Sequence, residues 1–176
     1  FGGSSTRDWK GYGIMDIATR QFDAIEPYST TIANKATMTA FSPDNTKVVN
    51  VFLGGKMVLR DAKTLETIST LFDTTVKAPE LTTLPFWSNN GEKLAFVSWK
   101  PLDNTYSTGI LDLGFYQADR SNGDMVTGGR IWIVDYDQDG GKFGTPKVLV
   151  DRVDGHTETY PALSDDATLV AFNESD

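Results

Sequence analysis

The chain has 176 residues, enough for one domain with a real core, and carries a net charge of −8 from 24 acidic and 16 basic residues. The basic residues are scattered and form no run, so no nucleic acid is expected as a partner. Cysteine is absent, which excludes disulfides, thiolate zinc sites, covalent haem attachment and a Cys nucleophile within the chain, and no run of eighteen apolar residues offers a membrane span.

The opening "FGGSSTRDWKGYG" lacks the basic-then-apolar order of a signal peptide. It starts with Phe, which points to a processed or excerpted chain, or to an omitted start. Trp9 lies in this Gly-rich polar stretch and is expected at the surface. Next comes "YGIMDIATRQ", a short strand closing at Asp16, and a second strand begins at Phe22 in "FDAIEP". "TMTAFSPDNTKVVNVF", Thr37 to Phe52, reads as strand, polar turn, strand. "GKMVLRDAKTLE" gives a strand closing at Asp61, followed by "ETISTL" from Glu66. "TLPFWSNNGEKLAFVS", Thr83 to Ser98, repeats the strand–turn–strand unit. After residues 100–129 come "GRIWIVDYDQDG", closing at Asp135, and "PKVLVD" from Pro146. "TYPALSDDATLVAFNE", Thr159 to Glu174, is a third copy of the unit.

The three copies align without a gap. Each starts with Thr and places Phe41, Trp87 or Leu163 just before Ser42, Ser88 or Ser164. A polar turn with Asp44, Asn90 or Asp166 in the middle follows, because Asp and Asn side chains bond nearby backbone amides. The serines recur at one structural place and are expected to cap these turns rather than act as nucleophiles; there is no G-x-S-x-G elbow. Ser42 and Ser88 are 46 residues apart, and four short strands per such period is the pattern of a β-propeller blade. One interval departs from it: Ser42 to Asp61 spans 19 residues, Ser88 to Asp135 spans 47. The excess is an insertion at about 100–129, whose "GILDLGFYQ" is apolar enough for a docked flap or partner surface, or is a plain excursion.

The segments "FSPDNTKVV", "WSNNGEKLAFVS" with "RIWIVD", and "YPALSDDATLVAFNES" together resemble the TolB-type, or PD40 (WD40-like), propeller repeats. The Pro-Asp-Gly turn of that group is intact nowhere here; it reads Pro43-Asp44-Asn45, Asn89-Asn90-Gly91 and Asp165-Asp166-Ala167. The expected fold is all-β, a propeller segment of four-stranded antiparallel blades worth about three blades. Its expected parts are a half blade at 1–30, a blade at 31–76, a blade with insertion at 77–152 and a half blade at 153–176. A closed ring needs roughly four to eight blades. The segment is therefore expected to belong to a six- to eight-bladed propeller, completed by the rest of a longer chain or by another subunit.

Candidate sites are few. Asp135, Asp137 and Asp139, followed by Gly140, match the first half of a calcium loop; position twelve is Pro146 where that loop needs Glu, and a plain hairpin turn uses the same residues. No cofactor is expected to be required, calcium being the one candidate. His156, the single histidine, lies on a connection between blades and is a ligand-loop candidate or a solvated side chain. Trp87, Trp99, Trp132, Phe41, Phe86, Phe96 and Phe172 sit on strands and are expected to pack between sheets. The expected function is a non-catalytic scaffold recognising proteins or ligands. The alternative is a propeller accessory to an enzyme, such as a serine peptidase gating domain or a redox or hydrolase partner, whose catalytic residues lie elsewhere. The resemblance implies a bacterial, periplasmic or secreted setting.

Overall fold

The computed structural model describes residues 13–25, 36–52, 57–71, 81–99, 129–151 and 157–175. Every regular element in it is a strand. β1 (Gly13–Met15) and β2 (Phe22–Ile25) form an antiparallel pair. β3 (Ala36–Phe41), β4 (Lys47–Phe52), β5 (Met57–Asp61) and β6 (Thr67–Thr70) form a sheet in chain order. β7 (Leu81–Trp87), β8 (Lys93–Trp99) and β9 (Gly129–Asp137) form the next, with β10 (Lys142–Phe143) and β11 (Lys147–Val150) both pairing with β9. β12 (Thr157–Leu163) and β13 (Val170–Ser175) close the series. All pairings are antiparallel. The blade boundaries read from the sequence fall outside the described residues, as do Trp9, His156 and all of the insertion but Gly129.

Two-residue alternation decides which faces meet. On the β3–β6 sheet Val49, Val51, Met57 and Leu59 share one face, and on the next sheet Trp87, Leu94, Phe96, Val134 and Tyr136 share another. These faces make one core, with Met57, Leu59, Leu94 and Phe96 fully buried. Burying a side chain of this size stabilises by about 1.5–3 kcal/mol. Phe96 lies parallel to Trp132 at 6.4 Å between ring centres. On the other side, β12 packs against β7, β8 and β9, so consecutive sheets stack face to face. The inner strands β7 and β12 each carry a bulge at Leu84-Pro85 and Tyr160-Pro161. Proline has no N–H for the ladder, and a bulge is where a strand tolerates that loss.

The three serine turns share one hydrogen-bond set. Ser42, Ser88 and Ser164 Oγ donate to Asp44, Asn90 and Asp166 Oδ1 at 2.6, 2.7 and 2.7 Å. The same oxygens accept the amides of Lys47, Lys93 and Leu169 at 3.0, 3.0 and 2.9 Å. The serine carbonyls accept the amides of Asn45, Gly91 and Ala167. Those three residues take φ of 58°, 72° and 56°, the left-handed conformation that glycine adopts without penalty. The serines therefore cap turns, as the sequence pattern requires.

Three aromatics depart from expectation. Phe41, Phe86 and Phe172 are 45%, 39% and 37% exposed. Trp87, at the position equivalent to Phe41, is covered by the rings of Tyr136 and Phe143 at 5.2 and 6.0 Å. The residue matching Tyr136 beside Phe41 is Ala62: its amide donates to Thr46 O as that of Tyr136 donates to Glu92 O. Alanine is too short to provide that cover. Phe172 matches the buried Phe96, but among the described residues its two-stranded sheet has no third strand to supply a ring like Trp132. Phe86 stands next to Trp87 on the opposite face at the turn end of β7.

Of the left-handed residues in the three serine turns, Ala167 is the one that is neither Gly nor Asn. Ala167→Gly removes roughly 1–2 kcal/mol of left-handed strain and adds roughly 0.5–1 kcal/mol of unfolded-chain entropy. The expected outcome is a net gain of about 0.5 kcal/mol in urea unfolding; a loss of stability would contradict the shared-turn geometry.

Candidate functional site

The turns at one end of the sheets form a continuous surface. Asn89 Nδ2 donates to Asp165 Oδ1 at 2.6 Å, joining the β7–β8 turn to the β12–β13 turn. On the other side the β3–β4 and β7–β8 turns border a cleft of about 240 Å³. Ser42, Pro43, Asp44 and Lys47 form one wall and Asn89, Asn90 and Gly91 another. Tyr136 and Gln138, from the β9–β10 hairpin, complete it.

That hairpin reaches the cleft because β9 overruns its counterpart. By strand register Asp135 faces Lys93 as Asp61 faces Lys47. By turn chemistry, however, the match to Asp61 is Asp137. Asp61 Oδ1 accepts the amides of Lys63 and Thr64, and Asp137 Oδ1 those of Asp139 and Gly140. Four residues beyond each, Leu65 and Gly141 take φ of 61° and 64°. The turn expected to begin near Asp135 thus begins at Asp137, two residues further on. The extra strand length pairs with β10 and carries Tyr136 over Trp87. Gln138 Nε2 donates to Asn90 O at 2.7 Å and pins the hairpin to the neighbouring turn. Gly140 leaves room for the Asp137 carboxylate, whose Oδ2 a Cβ there would meet.

Electrostatics fix the charge state of the walls. The Ser42 hydroxyl, then Thr46, holds Asp44 far below the usual carboxylate range. Ser164 and Thr168 lower Asp166, and Lys93 lowers Asp135. Lys47 Nζ lies 3.7 Å from Asp44 Oδ2 and 6.0 Å from the centre of the Tyr136 ring. Burial, then the charges of Asp44 and Asp137, pushes the Tyr136 phenol up. Its hydroxyl is buried and makes no hydrogen bond.

The three acids of the calcium pattern do not converge. Asp135 pairs with Lys93 and Asp137 is taken up by backbone amides. Among the described residues no group of three or more His, Cys, Asp or Glu is placed to hold a metal ion. His156 lies outside the described residues. Two residues of interest escaped the sequence reading. Tyr136 sits mid-motif in "VDYDQ", and the sole signal was that an aromatic replaces the Ala62 of the other sheet. Glu158, 1% exposed with Oε2 unpaired, aligns with Thr82 and gives no periodic signal.

No family model and no curated protein matches the sequence. Solved structures do. A protein assigned as TolB from Agrobacterium tumefaciens is similar at 15% identity and TM-score 0.53, over 92% of this chain and 49% of its own. The tricorn protease aligns at 14% identity and TM-score 0.49, over 91% of this chain and 12% of its own. A protein assigned as a 6-phosphogluconolactonase from Bacteroides uniformis aligns at 14% and 0.49, over 93% and 43%. The chain thus spans about half or less of each structure. The first match, with the stacked antiparallel sheets, shows the fold: this is a segment of a β-propeller, similar in fold to that protein.

Two measurements test the turns. Asp44 and Asp166 have folded pKa values below their unfolded ones, so their contribution is complete above about pH 4 and is lost as pH falls toward the folded values. Protection of the Thr46 and Thr168 amides, corrected for intrinsic exchange, is expected to drop on acidification, while that of the Glu92 amide, bonded to the non-titrating Asn90, holds. Asp137→Ala is expected to cost about 1 kcal/mol through two lost amide bonds. Millimolar calcium is expected to leave both melting curves unchanged; a calcium-dependent rise lost in the variant would restore the metal reading.

Proposed function

We propose that the chain is a non-catalytic recognition scaffold that binds a protein partner through the turn end of its sheets. One observation carries this reading: the cleft where two adjacent blades present their turns, with Tyr136 in its wall. Rigid sheets that end in a clustered set of turns are a common platform for binding. The serine hydroxyls support it from the other side, because each donates within its own turn and is held there as a cap. A periplasmic or secreted setting goes with this reading and rests on the likeness to TolB-type repeats.

The test places a photo-cross-linking residue at Asp139, at the exposed tip of the hairpin, and separately at Lys147 on the outer strand, in the natural protein as its cells make it. A partner adduct from Asp139 and none from Lys147 is the expected result. Adducts from Lys147 alone, or from neither position, would overturn the proposal.

A further inference from the structure

We propose that residues 138–144 form a strap that lifts away from the β7–β9 sheet and uncovers the rings of Trp87 and Tyr136. The strap is an addition to its sheet. β11 pairs with β9 through Ile131, Trp132 and Ile133, so four strands remain when β10 leaves. In the β3–β6 sheet the fourth strand follows the Asp61 turn directly, with no such strap between. Opening breaks few bonds. They are the ladder pairs of Lys142 with Asp137 and Phe143 with Tyr136, the bond from the Gly144 amide to Asp135 O, and the exposed tie from Gln138 to Asn90 O. Gly141 and Gly144 bracket Lys142 and Phe143, and glycine permits the backbone rotation that a hinge needs.

Segments with few apolar contacts and exposed hydrogen bonds are the parts of a fold that open first. Phe143 is the only apolar side chain in the strap. Its ring stacks on Trp87 at 6.0 Å and lies 5.0 Å from the ring of Tyr136. Closure also has a cost of its own. Both rings beneath Phe143 carry a buried polar atom without a hydrogen bond, Trp87 Nε1 and Tyr136 Oη. A buried donor or acceptor left unpaired forfeits the bond that water gives it. Lifting Phe143 lets water reach the two rings, so the open form regains what the closed form withholds. The rings themselves stay in place, since the Tyr136 amide bonds Glu92 O at 2.7 Å and Trp87 pairs with Leu94. Gln138 lines the cleft, so closure completes that wall and opening replaces it with aromatic surface. The strap does not depend on the recognition reading above; where that reading holds, it sets which of two surfaces a partner meets.

The experiment follows deuterium exchange by NMR in the whole protein. The Trp87 indole N–H has no hydrogen bond, so burial alone protects it, and its exchange reports the lifting of Phe143. After correction for intrinsic rates it is expected to exchange about tenfold or more faster than the backbone amides of Leu94 to Val97, with little dependence on urea. Gln138→Ala removes the tie and is expected to speed the indole exchange about fivefold while the β8 amides keep their rates. Tyr136→Phe removes a polar atom that only the closed form leaves unpaired. It is expected to slow the indole exchange about fivefold with an equal or higher melting temperature. Indole and β8 amides exchanging together with the same urea dependence would overturn the inference, as would either variant leaving the indole rate unchanged. If the exchange behaves as stated and the Asp139 cross-link is absent, the strap stands and the scaffold reading falls. If the cross-link forms and the indole exchanges only with β8, the scaffold reading stands and the strap falls.

Discussion

The two complete sheets bury apolar residues on both faces, Val48 and Val58 opposite Val49 and Leu59, and Ala95 and Val97 opposite Leu94 and Phe96, and among the described residues no helix covers them. The β3–β6 sheet hides Val49, Val51, Met57 and Leu59 only because Trp87, Leu94, Phe96 and Val134 press against them from the next sheet. That mutual burial is the interaction on which the rest depends. It makes face-to-face stacking obligatory, because a single sheet would leave one oily side in water. Stacking in turn brings the ends of the sheets side by side, so that turns distant in sequence become neighbours.

Among the described residues the turns are therefore a polar surface that the stacking itself assembles. Each is rigid on its own, through the serine, the Asp or Asn and the left-handed residue after it. Joined by Asn89–Asp165 and by Gln138–Asn90, they behave as one ledge. The carboxylates on that ledge serve two purposes. They satisfy turn amides, and they leave a negative field that faces solvent. A surface that is already folded and charged needs little ordering when a partner arrives, which is the main cost saved in recognition.

A difference of two residues between otherwise equivalent hairpins creates the cleft. In the first complete sheet the turn follows Asp61 at once, and the next position is the small Ala62. In the second the strand runs on through Asp137, and Tyr136 folds over Trp87. The same change leaves Phe41 half-exposed and Trp87 buried. The added ring closes the core at that end, and its hydroxyl is buried there without a hydrogen bond.

Much of this was legible in the residues alone. The aligned Ser42, Ser88 and Ser164 turns, the 46-residue period and the alternating strands identify stacked four-stranded sheets, because each is a local pattern written in neighbouring residues. Register to the third strand was legible too, through Asp61 and Asp135. The acids of "DYDQDGG" carried a metal pattern, but only the folded hairpin decided that Asp135 answers Lys93 and Asp137 answers its own turn. The burial of Trp87 was expected from its place on a strand, but the exposure of Phe41 and Phe172 and the meeting of Asp44 with Tyr136 came from the tertiary structure. Each depends on which sheet lies over which face, and that is set by contacts between residues dozens of positions apart, whose spacing leaves no mark in the local sequence.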